Sequence, residues 1–139
     1  MLMGNCGVGK TVMCCYVIPG IIKIHLNKVF MPVSAHKLHE MMPSLLKDEL
    51  CIVDDVGVEV PGNEYGIKHN DFAELIDYAE NSRKVLIITT NLDSKELAER
   101  YGERVMDRLR GLVRCIQIPG YSLRGTAGIH EIDISQLIK

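Results

Sequence analysis

The residues Gly4-Asn5-Cys6-Gly7-Val8-Gly9-Lys10-Thr11 restrict what this chain can fold into more than any other part of it. They fit the spacing G-x-x-x-x-G-K-[ST] at every specified position. Glycine reaches backbone angles closed to other residues, so successive N–H groups can curl into one concave nest. With a helix N-terminus behind it, such a nest holds phosphate oxygens. Lys10 then neutralises the β- and γ-phosphates of a nucleoside triphosphate, and Thr11 ligates Mg²⁺. A chance match in a chain this short is on the order of one in a hundred, given glycine at about 7% of residues. The flanks agree, because apolar Leu2-Met3 leads into the turn and a helical pattern follows from about Lys10.

A phosphate loop needs a further carboxylate for its metal. Leu50-Cys-Ile-Val53 is a continuous apolar run, the pattern of a buried parallel strand, and it ends in Asp54-Asp55. Ligands of open α/β sheets gather at such C-terminal strand tips. Asp54 is placed to hold Mg²⁺ through water, and Asp55 to orient or activate the attacking water. Alone, Asp-Asp-Val-Gly fits a plain turn equally well; the upstream loop gives it a metal to hold. Val85 to Thr90 is a second buried strand, and Asn91 at its tip is positioned to hydrogen-bond the γ-phosphate or the water.

Between these sites the pattern alternates. Pro19-Gly20 is expected to kink or end the first helix, and Val29 to Val33 to form a short strand that Pro32 confines to an edge or strand end. Ala35 to Lys47, Asp71 to Asn81 and Glu103 to Leu112 have helical spacing, and Asp93 with Glu96 reads as a capping box for another helix. Val113 to Ile118 is the last expected strand. Strands alternating with helices imply one α/β domain over residues 1–139, a parallel sheet flanked by helices.

Composition excludes several classes. With 16 Lys and Arg against 18 Asp and Glu there is no strong basic field, so any DNA contact has to be local or shared among subunits. The absence of Trp and the scarcity of Phe leave little for base-stacking platforms. Five cysteines form no CxxC pair and no Cys/His ligand cluster, which points to a reducing cytoplasm. The longest apolar run, Val12 to Ile22, is too short to span a bilayer, although behind Lys10 it also resembles a signal-peptide core. Lys23, His25, Lys28, His36, Lys37, His39 and Lys47 read as a solvated face before a DNA-facing one. His36 and His39 have no third ligand nearby. Cys6 stands inside the nest, where its oxidation would block nucleotide binding.

The loop, Leu50–Gly57, Thr89–Leu92 and Gly102–Arg110, in that order, resemble the AAA+ ATPases of the DnaC-type helicase loader and IstB-type transposition group. The resemblance implies a P-loop NTPase fold of AAA+ type, without a C-terminal helical lid because only about 20 residues follow the last strand. Under it Gly4–Thr11 is similar to the Walker A loop, Asp54-Asp55 to Walker B, and Asn91 to the sensor-1 residue. Arg108 stands at the arginine-finger position, reaching into a neighbouring subunit's ATP, and Arg124 at that of the sensor-2 arginine. A solvated helix charge is the competing reading of Arg108. The implied catalytic set is thus Asp55, Asn91 and Arg108; Gly4 through Thr11 with Arg124 hold ATP, and Thr11 with Asp54 hold Mg²⁺.

The sequence also departs from that pattern. It starts three residues before the loop, so the first strand is a stub and the family's helicase-binding region and adenine-side segment are expected to be missing. Asp55 stands where Glu is common and is one methylene shorter. The first functional reading is an ATP-dependent loader that assembles on single-stranded DNA with a replicative helicase, oligomeric with ATP and weakly active as a monomer. The alternatives are an IstB-like transposition ATPase with a transposase partner, a nucleotide-binding module without catalysis, and a small-molecule kinase. The last leaves Thr-Thr-Asn and the Arg108 helix unexplained.

Overall fold

Continuous apolar runs form strands, and because a helix separates each from the next, parallel pairing follows. In the computed structural model, which describes residues 1–59, 62–64 and 67–125, the strands are β1 Leu2–Met3, β2 Val33–Ser34, β3 Leu50–Val56, β4 Gly62–Glu64, β5 Ile67–His69, β6 Val85–Thr90 and β7 Ile116–Gln117. Five of them make one parallel sheet in the order β2-β3-β6-β1-β7, and β4 with β5 makes a separate antiparallel pair.

The short β1 is a full member of the sheet. Leu2 and Met3 pair with Thr89 and Thr90 on one side and with Ile116 and Gln117 on the other. Both are buried, and Met1 and Met3 carbonyls accept from Ile116 and Ile118 N–H, each at 2.8 Å. The expected edge strand before Ala35 shrinks to β2, since Pro32 has no N–H to give to a ladder. The last expected strand contracts to β7.

Alternate residues of β3 serve opposite faces of the sheet, as the two-residue period of a strand requires. Cys51 and Val53 join the large cluster containing Phe72, Leu75, Ile76, Leu97 and Leu109. Leu50 and Ile52 turn the other way and meet Cys14, with Cys15, Ile22, Phe30 and Ile87 packed around them. The first face is covered by the helices α3 Leu38–Leu45, α4 Asp71–Ser82, α5 Ser94–Tyr101 and α6 Glu103–Leu112. In α4, Phe72, Leu75, Ile76 and Ala79 form the buried stripe that the sequence spacing predicts. Asn70 caps it by accepting from Ala73 N–H at 3.1 Å.

The other face carries the helix that follows the glycine loop. It runs as α1 Lys10–Val12, a π-turn Met13–Val17, and α2 Ile18–Leu26. The helix therefore passes through Pro19-Gly20 instead of ending there, and the disturbance falls one turn earlier. Pro19 has no N–H for the Cys15 carbonyl, and its ring would collide with that carbonyl in an α-turn. The chain widens instead: Ile18 N–H reaches back five residues to Met13 O. Among the described residues no helix is long and apolar enough to cross a membrane. Residues 126–139, on which the expectation of a missing lid falls, lie outside the described set.

Candidate nucleotide-binding site

The glycine loop sits between the C-terminal end of β1 and the first turn of the helix, at the edge where β3 and β6 also end. Gly4 takes φ +152°, and a Cβ there would lie 2.5 Å from Ile118 O. Gly7 takes φ +82°, and a Cβ there would collide with Ser122 Oγ. Both positions thus demand glycine for backbone angle and for space. Gly9, the helix N-cap, offers no side-chain cap, which leaves the first N–H groups of the helix available to an anion.

Lys10 is 6% exposed, and its ammonium donates to Gly4 O, Asn5 O and Asn91 Oδ1, each at 2.8 Å. All three of its donors are thereby engaged. Burial pushes its pKa down from the ordinary lysine value, and the Asp55 charge opposes that shift. Asn91 in turn donates through Nδ2 to Asp55 Oδ1 at 2.6 Å. A continuous chain therefore links Lys10 through Asn91 to Asp55.

The two acids stand on a β-bulge. Pairing runs Val53↔Ile88 and resumes at Val56↔Thr90, one residue out of step, and Asp55 takes the left-handed φ of 64°. A bulge at a strand end re-aims side chains. Here Thr89 holds both: its hydroxyl donates to Asp54 Oδ1 at 2.5 Å and accepts from Asp55 N–H at 2.8 Å. Asp55 is aimed toward Asn91, whereas Asp54 turns toward Thr89 and the two cysteines, Cys14 and Cys15. Sequence reasoning places Thr89 in the second buried strand and gives it no role of its own; its place in Thr-Thr-Asn, opposite the acids on the adjacent strand, is the available signal.

Cys6, Gly7, Gly9, Lys10, Thr11, Asp55, Asn91 and Arg124 line one cleft of about 150 Å³. That is below the roughly 300–1,000 Å³ of a site enclosing a whole drug-sized ligand. The cleft suits a phosphate tail with its metal, leaving the rest of a nucleotide outside it. Asn5 contributes its carbonyl to Lys10, and Val8 is half-buried in the loop. A larger depression between α5 and α6, about 370 Å³, has no such nest; its Lys95 and Arg110 are paired with Glu99 and Glu103 at 3.9 and 3.8 Å.

Of the two arginines, Arg124 reaches the cleft and Arg108 does not. Leu123 N–H donates to Gly7 O at 2.9 Å, which lays the 121–125 segment over the loop, and Arg124 Nη1 donates to Cys6 Sγ at 3.4 Å. Arg108 lies on α6 with its guanidinium against Asp77 and, at 3.2 Å, Glu80 of α4. It is neither a freely solvated charge nor a member of this chain's own cleft.

The residues present fit Mg²⁺ with a triphosphate: a buried ammonium, a glycine cradle, an uncapped helix start, and Thr11 with acids at one strand edge. Neither a protein-family model nor a curated protein sequence matches the chain. Solved structures do. The chain is similar to the crystal structure of the DnaC helicase loader, with a TM-score of 0.64 and 22% identity over 85% of this chain and 76% of that one. It is equally similar to the crystal structure of DnaI, with a TM-score of 0.65 and 23% identity over 88% of this chain and 71% of that one. At these identities the likeness is one of fold: the chain shares the α/β fold of these two structures.

Proposed function

We propose that this chain binds Mg-ATP at the Gly4–Thr11 loop and hydrolyses it, as the ATPase unit of a helicase-loader-type assembly. The observation that carries this reading is the Lys10–Asn91–Asp55 chain at the mouth of the glycine nest. A γ-phosphate entering the nest competes for the Lys10 ammonium. The bond it displaces most readily is the one to Asn91, a side chain, because the other two acceptors are backbone of the loop itself. Asn91 is then released to hydrogen-bond the phosphate or the attacking water, while Asp55 is freed to accept that water's proton. Mg²⁺, held by Thr11 and through water by Asp54, supplies charge stabilisation when bound. Arg124, already over the loop, is placed to report phosphate occupancy to the 121–125 segment.

The pairing of Leu2–Met3 on both sides supports a working site over an inert module, since a loop hung on an unpaired strand would be poorly held. The replicative-helicase partner, the single-stranded DNA and the ATP-bound oligomer with Arg108 acting in trans belong to the same reading, supported by the likeness to loader folds. Calorimetric titration with Mg-ATP tests it. Micromolar binding that disappears in Lys10→Ala is the expected result; no binding to either protein would overturn it. Co-sedimentation with a replicative helicase, present with ATP and absent without it, is expected to follow.

A further inference from the structure

The π-turn that Pro19 imposes has a second effect. In an α-helix consecutive side chains diverge by about 100°, so neighbouring cysteines do not face one target. A π-turn holds more residues per turn and narrows that angle. Cys14 and Cys15 lie within it, facing the sheet, and their sulfurs and an Asp54 carboxylate oxygen all lie within 4.8 Å of one another. Ligand separations around a tetrahedral zinc ion, from Zn–S of about 2.3 Å and Zn–O of about 2.0 Å, are about 3.5–3.8 Å. Rotations that bring the donors together by about 1 Å would complete three corners of such a site.

We propose that Cys14, Cys15 and Asp54 form a binding site for a thiophilic divalent ion of the zinc and cadmium class. Two sulfurs and one carboxylate are a donor set that such ions accept and that Mg²⁺, which takes oxygen ligands, does not. On binding, the ion displaces the two thiol protons to water and bonds both sulfurs. Cys14 is buried, while Cys15 and Asp54 are partly open to solvent, which leaves a route in and room for a water as fourth ligand. The Thr89 hydroxyl, 2.5 Å from Asp54 Oδ1, orients the carboxylate from behind. Resting on the proposed role of Asp54 in holding Mg²⁺, the ion also acts as an inhibitor, because it removes that carboxylate from the nucleotide site.

Cadmium titration decides the first point, since each Cd–thiolate bond adds ultraviolet charge-transfer absorption. The full chain carrying Cys6→Ser and Cys115→Ser, which lacks the two exposed thiols, is titrated in a phosphine reductant. One ion per chain with the absorption of two thiolates is expected, and Asp54→Asn weakens it by about 10-fold or more. That variant keeps both thiols, and its circular dichroism shows whether it is folded. Undiminished absorption after Cys14→Ser with Cys15→Ser, or an affinity unchanged in folded Asp54→Asn, overturns the site. For the second point, saturating Cd²⁺ is expected to suppress Mg-dependent ATP hydrolysis in the protein but not in its Cys15→Ser form; hydrolysis unaffected by saturating Cd²⁺ overturns the inhibition. If the chain binds no ATP with any metal, the nucleotide reading fails, and the cadmium absorption still decides the site.

Discussion

Lys10 links fold and chemistry at the scale of single residues, because its ammonium is buried and already makes three hydrogen bonds. Burial lowers its pKa, so the charged form is disfavoured in the folded chain. The sign follows: folding loses stability to this group at pH below its folded value and recovers it as pH rises through that value. Phosphate affinity runs the opposite way, since only the ammonium attracts the anion. ATP affinity is therefore expected to fall by up to about 10-fold per pH unit, beginning below the ordinary lysine pKa. Calorimetry from neutral to alkaline pH checks this, and a flat profile across that range would remove Lys10 from phosphate contact. Asp55 carries a second prediction. Asp55→Asn keeps an acceptor for Asn91 but cannot take a proton, so bound ATP is expected to persist while turnover drops by about 10²–10⁴. Single-turnover hydrolysis measures it, and unchanged turnover would assign the base elsewhere. That Lys10, Asp55 and Asn91 converge beside the glycine loop is legible in the sequence, because the loop spacing and two acid- or amide-tipped buried strands place them at one sheet edge; that Asp54 turns away toward Thr89 is not. Nor is Thr89 as the clamp on both acids, since it depends on a one-residue bulge that no local pattern announces.

Elements were legible in proportion to how much of their own geometry they encode. The α4 stripe and the α5 capping box are local facts: Asp93 accepts from Lys95 and Glu96 N–H at 2.8 Å, and Glu96 returns the bond to Asp93 N–H at 2.8 Å. Asp93→Ala removes the cap and is expected to cost about 1 kcal/mol. In a domain of this size that lowers Tm by a few degrees. Thermal denaturation tests it with Glu96→Ala beside it, and a double variant no worse than the worse single one would show the two bonds acting as a unit. Strands of two residues are another matter. β2 exists because β3 offers it a ladder, β1 because β6 does and β7 because β1 does, so their limits belong to the sheet and not to their own sequence. Pro19 shows the same limit in a helix. Its cost was readable, but whether the chain would break or widen depended on Cys14 being buried against Leu50 and Ile52, which holds the helix onto the sheet.

For the whole molecule, the proposed ATP-bound oligomer needs a residue that reaches from one chain toward the next, and Arg108 carries that proposal. α6 packs on α4, and the Arg108 guanidinium lies against Asp77 and Glu80 at that contact. These groups are partly solvent-exposed, so the pairing contributes little to folding, about 0–1 kcal/mol for such ion pairs. Arg108→Ala is therefore expected to leave Tm within about 2–4 °C of the parent. ATP affinity should be unchanged as well, because Arg108 does not line this chain's cleft. If Arg108 completes a neighbour's site, hydrolysis stimulated by partner or DNA falls by about 10³–10⁵ in the same variant. Basal hydrolysis of the isolated chain is expected to be unchanged by the substitution. The acids give the contrast. Asp77→Asn with Glu80→Gln frees the guanidinium without removing it, so stimulated hydrolysis persists or rises while any structural contribution of the pairing is lost. Parallel loss of stability and of hydrolysis in both variants would instead make the α4–α6 pairing structural, and the finger would have to come from another cation. Arg104 is the first to substitute, since it lies on the same helix and is exposed.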